Sequence, residues 1–294
     1  MKMLITGANG QLGSEVVRQA TAMGYDLLAV DLPEYDITIP ETVNRLIADY
    51  RPYLVLNAAA YTQVDLAESQ EKPAWAVNAD AALNLALACS AKDIPLIHIS
   101  TDFVFDGKKT TPYRESDPVA PLSVYGKSKA AGDDHIRGNL DHHVIVRTSW
   151  LYGVQGNNFV KTMIRLASER ETLNVVADQF GCPTAAADLA DALLTISRSI
   201  FSSPDVRWGT YHYCGQGVVS WHQFAQAIID ISKKYRALKV TRVNPIPTSD
   251  YPTPAIRPAY SAMNCEKITK EFGVHPVPWK KSLEKTIQEI MAVP

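Results

Sequence analysis

Lys2-Met3-Leu4-Ile5-Thr6-Gly7-Ala8-Asn9-Gly10-Gln11-Leu12-Gly13 is the stretch that decides the fold. A short apolar run of strand composition ends in a glycine-punctuated turn, and the turn opens a segment with helical spacing over Leu12–Ala22. A strand, tight turn and helix in that order aim backbone N–H groups and the positive helix end at one point, where a pyrophosphate can sit. Glycine suits the three positions for separate reasons. Gly7 permits the tight turn, Gly10 lets a phosphate approach the backbone, and Gly13 lets helix and strand pack closely. The spacing is GxxGxxG rather than GxGxxG, and alone it also fits a strand-to-helix turn with no ligand. Asp31, at the end of the next apolar run and about 20 residues beyond the glycines, adds a carboxylate placed to accept hydrogen bonds from ribose hydroxyls. It would repel a 2′-phosphate. The reading is therefore a nicotinamide dinucleotide, NADH before NADPH, unless an Arg or Lys from elsewhere offsets that charge.

The same alternation continues outward. Strands are expected at Lys2–Thr6, Asp26–Val30, Tyr53–Asn57, Pro95–Ser100 and His143–Thr148, with helices at Leu12–Ala22, Pro40–Tyr50, Pro73–Ala91 and Val124–Arg137 between them. Such units build an α/β fold, a doubly wound parallel sheet of Rossmann type. After Trp150 prolines multiply and the pattern loosens around helices expected at Ala186–Ser197, Trp221–Tyr235 and Lys280–Met291. We read residues 1–152 as a dinucleotide-binding domain, with about 184–215 returning to it. Residues 153–183 and 216–294 form a smaller C-terminal substrate-binding lobe.

Whole-chain properties bound the function. With 46% hydrophobic residues among 294, the chain can bury a large core. Its 29 basic and 31 acidic residues leave a net charge of −2, which provides no general field for nucleic acid or anionic lipid. Apolar runs are short, and the first residues lead straight into the glycine turn without a cleavage region, so a cytoplasmic protein is expected. Cys89, Cys182, Cys214 and Cys265 are far apart in sequence, which favours reduced, packed thiols over a zinc ribbon or disulfide framework. His142-His143 reads as part of a solvated connection.

Tyr125 and Lys129 stand four positions apart on an expected helix and so share one face. A neighbouring ammonium favours phenolate and makes the phenol a better proton donor near neutral pH. Thr101 lies at the carboxyl end of the fourth strand, the edge where open α/β sheets bind ligands. Its hydroxyl can donate to the carbonyl oxygen that Tyr125 protonates.

The glycine turn, Asn57-Ala58-Ala59-Ala60, Ser100-Thr101 and the Tyr125/Lys129 pair, in this order, resemble the extended short-chain dehydrogenase/reductase family. The nearer resemblance is to its branch acting on dTDP-4-dehydro-L-rhamnose. That resemblance rests on Asn57 to Asp65, Ser100 to Gly107, Arg147 to Gly153, Asp178 to Thr184 and Arg257-Pro258, covering nearly the whole chain. It implies reduction of the C4 keto group to give dTDP-L-rhamnose, with Thr101, Tyr125 and Lys129 as catalytic residues. It also implies Gly7, Gly10, Gln11, Leu12 and Gly13 at the cofactor phosphates, Asp31 at the ribose, and Asp36 and Ile37 by the adenine. Ala59, Ala60 and Tyr61 would line the cofactor groove, and Lys129 would hold the nicotinamide ribose.

On the sugar side the resemblance implies Thr101, Asp102 and Tyr125 near the keto group and Trp150 against the sugar nucleotide, although a core tryptophan would read the same way. Asn158, Phe159, Gln179 and Arg257 are implied for the nucleotide-diphosphate end, or else they pack and cap the lobe. Some members are metal-bridged dimers. Glu15 and Glu289 match the acidic positions, but Ala187 stands at the third with Asp188 beside it, which puts Mg2+ in doubt; the helix dipole also explains Glu15. A monomer or homodimer fits equally.

Two other readings stay open. An epimerase or dehydratase on this fold would recycle NAD+, although dehydratases of that type place Asp-Glu after the threonine and here Asp102 is followed by Phe103. A non-catalytic subunit resembling the regulatory subunit of methionine adenosyltransferase would keep the fold without the chemistry.

Overall fold

In the computed structural model, which describes residues 2–203 and 205–292, the apolar runs assemble into a parallel sheet of six strands. These are β1 (Lys2–Thr6), β2 (Asp26–Val30), β3 (Leu54–Asn57), β4 (Leu96–Thr101), β5 (His143–Thr148) and a last strand, Gly209–His212. The spatial order is β2, β1, β3, β4, β5 and then Gly209–His212. The chain therefore builds one edge with β2, then reverses past β1 to build the other. Between β1 and β3 the crossovers leave in opposite directions, which opens a crevice beyond the carboxyl ends of the strands.

Side-chain alternation explains why the sheet is covered on both faces. Met3 and Ile5 of β1 join one core cluster and Leu4 the other, and Leu54 and Leu56 against Val55 repeat this on β3. Period two sends neighbours to opposite faces, and apolar residues at both require helices on both sides. α1 (Gln11–Ala22) and the helix Ala186–Ser202 supply one cover, through Val16, Ala20, Leu189 and Leu193. α2 (Pro40–Tyr50) and the helix Ala81–Ser90 supply the other, through Val43, Ile47 and Leu85.

The expected helix over Pro73–Ala91 is found, continuous over 71–90, but it widens into a π-helical turn at Ala76–Asp80 between Glu71–Trp75 and Ala81–Ser90. In that turn the Asn78 carboxamide accepts from the Tyr61 N–H at 2.9 Å and donates to the Tyr61 carbonyl and to Ser128 Oγ. One widened turn thus ties the loop after β3 to the helix Val124–Asn139, a use for which π-turns recur at functional sites.

A third cluster holds the remaining elements. The helices Phe159–Glu169, Trp221–Ser232 and Trp279–Ala292 pack through Val160, Ile164, Phe224, Ile228, Leu283 and Ile287. A parallel pair, Thr172–Val176 with Arg242–Ile246, lies beside them. The helix Phe159–Glu169 is not among the expected elements, yet Asn158 caps it by accepting from the Lys161 N–H at 3.1 Å, and Val160, Met163, Ile164 and Ala167 form its buried stripe.

One local expectation is corrected and another is borne out. His143 is buried and opens β5 rather than lying in a solvated connection. The four cysteines are free thiols, but folding brings Cys214 Sγ to 3.7 Å from Cys265 Sγ, a proximity invisible in their sequence spacing. Among the described residues, no helix is long and apolar enough to cross a membrane.

Candidate active site

The glycine turn is built as its sequence requires. Gly7 has φ +70°, and a Cβ there would lie 2.5 Å from the Ala59 nitrogen, while one on Gly13 would lie 2.0 Å from the Gly7 carbonyl oxygen. The first contact brings the loop after β3 against the turn, and the second lets α1 start at the end of β1. Gly10 precedes α1 and no side chain caps this end, so the first N–H groups of the helix remain without an intrahelical partner. An uncapped helix end in a glycine cradle fits an anionic phosphate.

Asp31 closes this side. Its carboxylate accepts from the Asn9 N–H and the Leu32 N–H, both at 2.8 Å, so it is fixed in place with lone pairs left for ribose hydroxyls. Asp36 Oδ1 accepts from both the N–H and the hydroxyl of Thr38, and Ile37 is buried in the adjoining core. Ala59, Ala60 and Tyr61 follow β3 and are partly accessible along the crevice. These residues fit the adenosine and diphosphate portion of a dinucleotide.

At the far end of the crevice, β4 delivers Thr101 and the turn after it delivers Asp102; both are buried. Thr101 Oγ1 donates to Asp102 Oδ1 at 3.1 Å and accepts from the Phe103 N–H. Ser123 caps the facing helix, Val124–Asn139, by accepting from the Gly126 N–H, which sets the phase that turns Tyr125 and Lys129 inward. Phe103 meets the Tyr125 ring edge-on at 5.5 Å, and the Thr101 side chain faces the phenol at a geometry short of a hydrogen bond. The structure therefore brings Thr101, Asp102, Tyr125 and Lys129 together from a strand, the turn after it and the facing helix.

Electrostatics depart from expectation at one point. The phenol is pushed up to about 12, chiefly by desolvation although the residue is only partly buried, and further by the Asp102 and Asp133 carboxylates. The Lys129 amine does not offset this. It lies 2.7 Å from the Ile99 carbonyl oxygen and 3.3 Å from His98 Nε2, and burial pulls it down to about 8 against the opposing pull of Asp133. Asp102 rises to about 6, again by burial first. Ser261 faces that carboxyl at a geometry short of a hydrogen bond, so Asp102 Oδ2 has no partner among the described residues.

The remaining candidates are dispersed. Trp150 takes φ +47° and stacks flat on Trp221, with ring centroids 3.4 Å apart. Asn158 Nδ2 donates to Gln11 Oε1 at 3.0 Å, which places it against the glycine turn. Phe159 packs against Trp221, and Gln179 donates to Thr248 Oγ1. Arg257 makes a two-point pair with Asp65, at 3.0 and 2.7 Å. Trp221 and Asp133 were not picked out in the sequence, because nothing in their spacing links them to residues that become neighbours only on folding. For a metal, no three His, Cys, Asp or Glu side chains converge among the described residues. Glu15 is held by Arg18 and Gln19, Glu289 is exposed, and Asp188 accepts from Ser282. Those donors within one chain do not make an ion site.

A family model, the RmlD substrate binding domain, matches residues 1–292. The dTDP-4-dehydrorhamnose reductase of Aggregatibacter actinomycetemcomitans is 44% identical, with 96% of this chain and 97% of that protein covered. The chain belongs to the dTDP-4-dehydrorhamnose reductase family. Solved members agree. The dTDP-4-dehydrorhamnose reductase of Clostridium acetobutylicum is 39% identical, superposes with a TM-score of 0.92 and covers 99% of each chain. That of Bacillus anthracis, solved in complex with NADP, is 39% identical at a TM-score of 0.89, covering 98% of this chain and 99% of its own. Family membership fits a crevice that carries a glycine cradle at one end and a phenol, a hydroxyl and an amine at the other.

Proposed function

We propose that the chain reduces the C4 keto group of dTDP-4-dehydro-L-rhamnose to give dTDP-L-rhamnose, using a reduced nicotinamide dinucleotide. The observation that carries this is the meeting of Tyr125, Thr101 and Lys129 at the carboxyl edge of the sheet that also bears the glycine turn. A bound reduced nicotinamide supplies the hydride. The chain's own residues manage the oxygen and its proton. A phenol raised to about 12 remains protonated at neutral pH, so Tyr125 holds a proton to give to the oxygen as negative charge develops on it. Thr101, fixed between Asp102 and the Phe103 N–H, points a hydroxyl at the same region. Lys129, near its own point of neutrality, can return a proton toward Tyr125 after turnover.

Residues 153–183 and 216–294 supply the sugar-nucleotide side in this reading, and 1–152 with 184–215 the dinucleotide side. Asp31 favours the free ribose hydroxyls of NADH. The Bacillus anthracis relative holds NADP, so a family site accepts the phosphorylated form and both belong in the test. Supplying NADH and NADPH separately with dTDP-, UDP- and GDP-linked 4-keto sugars, and following nicotinamide absorbance, should give one equivalent of cofactor oxidised per dTDP-L-rhamnose formed. Product formation without net oxidation identifies an epimerase instead, and no turnover with any of these sugars refutes the proposal.

The tryptophan stack gives a second expectation. A Cβ at Gly181 would lie 2.5 Å from the Trp150 indole, so Gly181→Ala must displace the ring. If Trp150 borders the sugar nucleotide, kcat/KM should fall by about ten- to a hundredfold, the scale on which misplacing a substrate by roughly 1 Å acts. Steady-state kinetics with dTDP-4-dehydro-L-rhamnose checks this, and unchanged kcat/KM removes Trp150 from the substrate site.

A further inference from the structure

Lys129 is buried against a chain of hydrogen bonds whose direction is fixed from its far end. The Ala59 N–H, a donor that cannot reverse, points at Asn57 Oδ1 at 3.0 Å, and Thr6 Oγ1 donates to the same oxygen at 2.7 Å. Flipping the Asn57 amide would set its NH2 against the Ala59 N–H. Its Nδ2 therefore faces His98 Nδ1, 2.9 Å away, as a donor. An imidazole nitrogen that accepts carries no proton, so His98 is neutral and its hydrogen sits on Nε2. Burial acts in the same direction, holding His98 well below the ordinary histidine range. Nε2–H then points at Lys129 Nζ, 3.3 Å away.

This contact distinguishes the two states of the lysine. An ammonium has only donors, so it would set N–H against N–H. A neutral amine has a lone pair that accepts from Nε2–H while one of its own hydrogens goes to the Ile99 carbonyl, 2.7 Å away. We propose that His98, locked as the Nε2–H tautomer by Asn57, is a positioning residue that orients the Lys129 amine and favours its neutral form, so that the lysine exchanges protons during turnover rather than standing as a fixed cation.

The other groups around the amine do not replace this one. Asp133, on the lysine's own helix, favours the ammonium, but it is shared with Arg147 of β5. Tyr125, one turn back on that helix, faces Asp102 from the turn after β4. On the neighbouring segments Glu68, Glu71, Lys72 and Asp80 are exposed, Asp65 is paired with Arg257, and the buried Cys89 thiol is pushed up to about 12. His98 is the group whose hydrogen-bond polarity opposes a charge on Lys129.

The proposal rests on the proton-relay role given to Lys129 above, but its first test does not depend on activity. Nitrogen-15 NMR of the full chain labelled at histidine, with His98 assigned by its loss in His98→Phe, should show a bare Nδ1 and a protonated Nε2. A bare Nε2 overturns the proposal without any measurement of activity.

The second test reverses the tautomer. In Asn57→Asp the carboxylate still accepts from Thr6 and Ala59, and its other oxygen takes a hydrogen from His98 Nδ1. Nε2 then becomes an acceptor that stabilises the ammonium. The alkaline limb of the kcat/KM profile for the reduction, where activity is lost as Lys129 deprotonates, should move up by about one pH unit, a tenfold gain in proton affinity. The same substitution in a His98→Phe background should leave the limb where His98→Phe alone puts it. A shift that survives in that background is a simple charge effect and overturns the proposal, as does an unmoved limb when NMR shows the tautomer reversed. If instead the relay role itself is wrong, Lys129→Met will leave turnover intact while the NMR result stands, so the two failures are distinguishable.

Discussion

Replacing Tyr125 by Phe should lower turnover by about 10²- to 10⁴-fold, the range in which general acid catalysis acts, equivalent to about 3–5 kcal/mol of transition-state stabilisation. The ring's edge-on contact with Phe103 needs no hydroxyl, so packing is retained and the melting temperature should be nearly unchanged. Binding of the dinucleotide, read by quenching of protein fluorescence, should also be close to that of the unaltered chain, because the glycine turn and Asp31 belong to other elements. A loss confined to kcat assigns Tyr125 to the transition state; a rise in KM alone assigns it to ordinary binding. Full turnover in Tyr125→Phe removes the phenol from the mechanism. The size of the effect follows from the electrostatics. A phenol raised to about 12 is a weak acid that is almost wholly protonated at pH 7, and losing it leaves Thr101 as the neighbouring hydroxyl.

The fold was legible because its signals are local and repeated. Lys2–Thr6, Asp26–Val30 and His143–Thr148 are found at the expected bounds, since strand-forming runs end at turn residues that the eye can find. The sheet's last strand, Gly209–His212, gave no comparable signal: four residues containing Gly, Thr, Tyr and His become a strand only because β5 offers an open edge. Tyr125 and Lys129 were legible as a pair because helical spacing is written in the sequence. What their environment does to them was not. The expected lowering of the phenol by a nearby ammonium depends on where a flexible lysine points, and it points to Ile99 and His98. Trp150 was ambiguous for a related reason, since its partner Trp221 comes from a helix 71 positions further along and the stack exists only after the lobe packs. Arg257 pairs with Asp65, a partner 192 positions away that no local spacing announces.

The second large effect should come from Asp133, which lies under the same helix face as Lys129. Asp133 and Arg147 are both buried, and Arg147 Nε is 3.4 Å from Asp133 Oδ2, an oxygen that also accepts from Ser100 Oγ at 3.0 Å. Among the described residues, Asp133 Oδ1 and Arg147 Nη1 have no hydrogen-bond partner. Such a pair is not a strong source of stability, because desolvating two ions offsets much of their attraction and here the hydrogen bonding is incomplete. Breaking it is another matter. Asp133→Ala leaves the guanidinium buried with the Phe105 face 5.3 Å away and only the half-buried Glu115 carboxyl as a nearby negative charge. The expected cost is about 3–5 kcal/mol, a fall in melting temperature on the order of 10 °C for a chain of this size. Arg147→Met should then act in opposite senses by background: destabilising where Asp133 is present and would be stranded, and restoring much of the lost stability in Asp133→Ala, since two apolar side chains strand no charge. Thermal unfolding of the two single variants and the double variant reads the coupling directly. Additive losses would mean that Arg147 finds its counter-charge elsewhere, at Glu115, and that the Asp133 carboxylate serves Ser100 and Lys129 instead.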